Sequence, residues 1–133
     1  MKHYFIAVSE KVQAEIIMKS IDTLSLNYNE QIGLKGLVNE LTEKHSSIKT
    51  IILYGSKARG DFLEESDIDL LFIADYNIPW SIKTEMSDII YNHELANDIA
   101  VSAIFVSESE FKTRVSLFLM KVRKEGIVLW SRE

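Results

Sequence analysis

The chain has no cysteine among its 133 residues, so disulfides and thiolate metal sites are excluded. That absence is compatible with a reducing compartment. One proline and five glycines are too few for a long disordered linker. No apolar run approaches the roughly 18–20 residues needed to cross a bilayer, so no membrane role is expected. The opening residues, Met1 to Val8, are basic and then apolar, as at the start of a signal segment, but Glu10 and Lys11 interrupt the run. A cytoplasmic protein is the expectation. Positive charge is also in deficit: the formal net charge is -5, which argues against a general grip on nucleic-acid phosphates. A phosphate-bearing substrate would need a specific site and the help of a cation. A basic protein partner would suit this surface better than a duplex.

What is present is an ordinary apolar content of 47%, enough for a core, in a length that fits one domain. No internal repeat or low-complexity segment interrupts it. Residues His3 to Val8 read as a short strand and Ser9 to Leu24 as a helix capped by Ser9. After a polar connection, Glu30 to His45 places Leu34, Leu37, Val38 and Leu41 on one helical face. Ile48 to Tyr54 is β-branched and apolar, as suits a strand buried on both sides. Gly55 to Ser66 reads as a turn or short helix and a loop, and Ile68 to Ala74 as a second apolar strand. Pro79 opens a helix to about Asn97, and Ile99 to Val106 is strand-like. Ser107 and Glu110 have capping-box spacing for a helix carrying Phe111, Val115, Phe118, Leu119 and Val122 towards Glu125. Gly126 stops it before a short strand, Ile127 to Trp130. The fold class is α+β, a small mixed sheet with helices packed on it.

Chemistry concentrates in Gly55-Ser56-Lys57-Ala58-Arg59-Gly60 and Ser66-Asp67-Ile68-Asp69-Leu70. Residues i and i+2 of a strand face the same way, so Asp67 and Asp69 would converge with α-carbons roughly 6–7 Å apart. Two anions at the mouth of an apolar strand repel each other and lose hydration, and a divalent cation relieves both costs. Hard oxygen ligands favour magnesium or manganese over zinc. Alone, an Asp-x-Asp at a strand start is more often a solvated edge, and a Gly-Ser an ordinary turn. The combination is more informative: glycine admits a positive φ and close backbone approach, so Gly55-Ser56 can cradle phosphate beside the acidic pair.

Gly55-Ser56, ten residues, then Asp67-x-Asp69 resembles the signature of the DNA polymerase β-type nucleotidyltransferase superfamily. The fuller pattern, with Ala58-Arg59-Gly60 and Ser66, is similar to its minimal nucleotidyltransferase (MNT) branch, strongly over residues 48 to 74. The resemblance implies that Gly55, Ser56, Arg59 and Ser66 bind the nucleotide and that Asp67 and Asp69 ligate Mg2+ or Mn2+. It further implies a third carboxylate on a later strand. Asp98, at the start of the Ile99 to Val106 strand, is the candidate, both as metal ligand and in catalysis; Ser102, four residues on, is the other position that could occupy that place. ATP or another nucleoside triphosphate would be the substrate.

Proteins of this branch are commonly antitoxins paired with a HEPN-family toxin, some silencing it by adenylylating a tyrosine. The implied function is magnesium-dependent transfer of a nucleoside monophosphate, AMP from ATP, to such a toxin protein. The alternative is a weak or inactive nucleotidyltransferase fold that neutralises a partner by binding. A small-molecule transferase is a third reading, but the chain is short for a substrate lobe. Residues 29–133 would form the minimal nucleotidyltransferase domain. Residues 1–28 are an extension whose role stays open between a contact within a homo-oligomer, a partner-docking helix and extra packing. The histidines His3, His45 and His93 have no ligand spacing, and Trp80 and Trp130 read as packing at element ends.

Overall fold

The computed structural model describes residues 21–61, 63 and 65–132. The expected His3 to Val8 strand lies outside them, as does most of the Ser9 to Leu24 helix, of which residues 21–23 are helical. The elements are α1 (Tyr28–Lys44), β1 (Ile48–Tyr54), α2 (Ser56–Arg59), β2 (Ile68–Ala74), α3 (Trp80–Asn97), β3 (Val101–Ser107), α4 (Glu108–Thr113), α5 (Leu117–Glu125) and β4 (Ile127–Ser131). The four strands form one mixed sheet in the order β3-β2-β1-β4. Strand β1 runs antiparallel to β2 and β4, and β2 is parallel to β3 through the α3 crossover.

The two central strands carry unbroken apolar runs, residues 51–53 and 70–74, because both faces are covered there. On one face Ile51, Leu53, Leu70 and Phe72 pack with Leu34, Leu37, Val38 and Leu41 of α1 and Met86, Ile89 and Ile90 of α3. On the other, Ile52, Leu71 and Ile73 meet Phe111 of α4 and Leu119 and Val122 of α5. The alternation along β2 therefore assigns Asp69 to the same face as Leu71 and Ile73, the face covered by α4 and α5.

Helix α1 begins earlier than the apolar spacing suggests because Asn27 caps it. The Asn27 side chain accepts from Glu30 N–H at 2.8 Å, and the Glu30 carboxylate accepts from Asn27 N–H at 3.1 Å. The Ser107–Glu110 capping box forms as its spacing predicts. The single helix expected from there to Glu125 is instead two. Arg114 is extended, and Ser116 caps a new helix by accepting from Leu119 N–H at 3.1 Å. The serine hydroxyl offers the backbone an alternative to continuing the helix, and Val115, expected on the packed face, is 89% exposed. Trp80 is likewise exposed, whereas Trp130 is buried. No helix of the described residues is long and apolar enough to cross a membrane.

Asp98 requires a correction. It does not begin a strand: it is the left-handed cap of α3, with φ 54 and ψ 54, and its N–H donates to the Glu94 carbonyl. Aspartate tolerates that conformation better than most residues. The strand starts three residues later, at Val101.

Candidate functional site

The site is built where β1 ends and β2 begins, on the face covered by α5. Strand β1 delivers Tyr54 and then Gly55, whose φ of 77 and ψ of -159 are accessible essentially to glycine alone. A single helical turn, α2, follows, and Gly60 in the left-handed region closes it. Asp69 lies directly opposite Tyr54 in the antiparallel ladder and beside Ser102 in the parallel one. A β-carbon built on Gly55 would collide with Asp69 Oδ2. The glycine therefore permits both the turn and the close approach of the carboxylate.

Asp67 precedes the strand and is exposed, while Asp69 is partly buried. Burial pushes the Asp69 carboxyl above the ordinary carboxylate range. The neighbouring Asp67 and Glu125 add to the shift, and Arg59 opposes it. Desolvation, with Asp69 close by, pushes the Tyr54 phenol up to about 12, so Tyr54 remains a neutral donor. Its ring meets Phe118 of α5 edge-on, with centroids 5.3 Å apart.

Arg59 is held on two sides. Its Nε donates to the Asp61 carboxylate at 3.1 Å, and its Nη1 donates to Glu125 Oε2 at 2.9 Å. Hydrogen bonds to Asp61, then to Glu125, raise the guanidinium's pKa further. The same Glu125 oxygen accepts from Gly55 N–H at 2.9 Å. These groups line an open cavity of about 310 Å³ whose walls include Tyr54, Ser56, Asp69, Phe118 and Lys121. Lys57 turns the other way: its Nζ makes a buried ion pair with Glu30 at 2.7 Å, tying the turn to the start of α1.

The residues named from sequence are thus distributed unevenly. Gly55, Ser56, Arg59 and Asp69 share the cavity, and Asp67 adjoins Asp69. Ser66 serves the loop, its hydroxyl accepting from Leu63 N–H at 3.1 Å. Asp98, exposed at the end of α3, is not brought to the pair. Among the described residues no group of three or more His, Asp or Glu converges as a metal site. Two clustered carboxylates nevertheless fit magnesium, which commonly takes one or two of them and completes its shell with substrate phosphates and water.

Sequence reasoning missed Glu125, Tyr54 and the Glu30–Lys57 pair. The Asn27-x-x-Glu30 spacing was readable as a cap, but nothing local marks Glu125, which meets Gly55 across 70 positions of chain.

Residues 37–133 match the family described as polymerase beta nucleotidyltransferase. A Methanocaldococcus jannaschii protein named "Putative protein adenylyltransferase" is 38% identical over 104 residues, covering 77% of this chain and 99% of its own. Two solved structures share the fold at low identity. One, a toxin–antitoxin with AMP-PNP, superposes with a TM-score of 0.56 at 19% identity, covering 74% of this chain and 73% of its own. The other contains a tri-AMPylated Shewanella oneidensis HEPN toxin with an MNT antitoxin. Its TM-score is 0.52 at 18% identity, over 77% of this chain and 72% of that one.

Proposed function

We propose, from the premise that this chain belongs to the polymerase beta nucleotidyltransferase family, that it transfers AMP from ATP to a hydroxyl of a partner protein. The observation that carries the reading is the packing of the Asp69 carboxylate against Gly55, with Asp67 adjoining and an open cavity in front. A nucleotidyltransferase needs phosphate donors and acidic metal ligands within one site, and this juxtaposition supports that reading.

Asp67 and Asp69 would hold magnesium or manganese. When bound, the metal offsets phosphate charge and favours ionisation of the attacking hydroxyl. The chain's own groups do the rest. Gly55, Ser56 and Arg59 bind phosphate oxygens, Ser66 keeps the loop that presents Asp67, and Tyr54 with Phe118 lines one wall of the cavity. The acceptor oxygen bonds to the α-phosphorus, the bond from that phosphorus to the bridging oxygen breaks, and pyrophosphate leaves while the hydroxyl proton is lost to solvent.

A protein acceptor of the HEPN toxin class is favoured by the relatives' company. It is favoured also by exposed apolar side chains at the start of α5, Leu117 and Met120, with Val115 just before that helix. One observation favours the second reading, an antitoxin acting by steric cover: the β3 residue beside Asp69 is Ser102, which is not acidic.

Incubation with magnesium, labelled ATP and a HEPN-class toxin protein, the proposed acceptor, separates the two. Label on the toxin, lost in Asp67→Ala/Asp69→Ala together with neutralisation, supports transfer. Absence of label, with the toxin still silenced by that double variant, leaves only binding.

A further inference from the structure

We infer that Glu125 is an internal competitor for the nucleotide's phosphates, occupying their donors in the free protein and displaced when a triphosphate enters. The inference rests on the nucleotide reading above and goes one step beyond it.

A single oxygen of Glu125 accepts from both Gly55 N–H and Arg59 Nη1, each at 2.9 Å. A loop amide and a guanidinium are the donor types that a phosphate oxygen engages. The carboxylate is thus seated where such an oxygen would make its contacts, and its side chain is only 14% exposed. Its position in α5 points the same way. Glu125 is the last residue of that helix, where the backbone dipole favours cations such as the preceding Arg123 and Lys124. An anion there gains nothing from the helix and is retained by its two donors. It also faces Asp69 across the cavity, so like charges oppose its staying. An incoming triphosphate brings more charge and more acceptor oxygens to the same two donors.

The test is titration of the full chain with a non-hydrolysable ATP analogue and magnesium, followed by calorimetry, for wild type, Glu125→Gln and Glu125→Asp. Glutamine keeps the shape but weakens the bond to Arg59. Aspartate keeps the charge but is one methylene short of both donors. Both variants should bind the analogue more tightly than wild type, Glu125→Gln by roughly tenfold. Either variant alone suffices if the other fails to fold. Equal or weaker binding by the folded variants would overturn the inference, assigning Glu125 to positioning of the turn and leaving the nucleotide reading intact. Binding by neither wild type nor variants would overturn both.

Discussion

Gly55 and Asp69 are placed so closely that a β-carbon on the glycine would overlap Asp69 Oδ2. The positive φ of Gly55 turns the chain out of β1, and the missing side chain leaves room for the acid from β2. One residue therefore satisfies a backbone requirement and a packing requirement where β1 ends and β2 begins.

Gly55→Ala should accordingly lose on both counts. The backbone penalty alone is about 1–3 kcal/mol, and the methyl group must also push the Asp69 carboxylate away. The expected outcome is a lower urea midpoint together with loss of nucleotide-dependent stabilisation. Ser56→Ala, which changes no backbone angle, should weaken nucleotide binding and leave the midpoint nearly unchanged. Equal midpoints for Gly55→Ala and wild type would show that the turn relaxes at no cost.

Asp69 should be a residue at which function is kept at the expense of stability. Its carboxyl is pushed above the ordinary range by burial, Asp67 and Glu125, so the folded state holds the proton more tightly than the unfolded chain. That preference favours folding at low pH and is lost as pH rises through the raised folded value. In metal-free buffer the melting temperature of wild type should therefore fall, relative to Asp69→Asn, between acid and neutral pH. At neutral pH Asp69→Asn should melt a few degrees higher, while transfer drops by at least roughly a hundredfold. Magnesium should raise the melting temperature of wild type and leave that of Asp69→Asn unmoved. Parallel melting curves of the two proteins across pH would refute the account.

The Glu30–Lys57 pair joins the phosphate turn to α1 from beneath, with both side chains buried. Lys57→Met strands an ionised carboxylate, and removal of one partner of a buried pair costs about 3–5 kcal/mol. Glu30→Gln retains the capping geometry with Asn27, since glutamine also serves at that position. The double variant Glu30→Gln/Lys57→Met should recover most of the loss, because neither group is then a buried unpaired ion. Urea denaturation of the four proteins measures the coupling. Additive losses would mean that the pair is not a unit.

How much of this was legible beforehand follows the range of the interactions. Strands β1 and β2 announce themselves by unbroken apolar runs, because two covered faces leave no polar alternation. The Gly55-Ser56 turn and the Asp67/Asp69 pair are local patterns with local causes. Asp98 misled because acidic character and proximity to a strand do not reveal a left-handed helix cap. The helix break at Arg114–Ser116 was hidden by an apolar spacing that continues through it, although Ser116 is itself a capping residue. Glu125 had no local signature, because its partners lie 70 and 66 positions away along the chain and its place at a helix end is electrostatically unfavourable.

Ser102 gives the most direct test of how many acids this site needs. It is the β3 residue in register with Asp69, so a carboxylate there would fall on the same face as the existing pair. Ser102→Asp should raise affinity for manganese by roughly tenfold, since each added hard-oxygen ligand replaces a bound water. In metal-free buffer the same change should lower the melting temperature, because a third anion adds to the repulsion that already pushes the Asp69 carboxyl upward. The two effects have opposite signs and one cause, which distinguishes them from a general change in packing. A rise in labelled transfer alongside the tighter metal binding would mean that wild type works as a two-carboxylate transferase below its full capacity. Tighter metal binding without any transfer would instead favour the antitoxin that acts by steric cover.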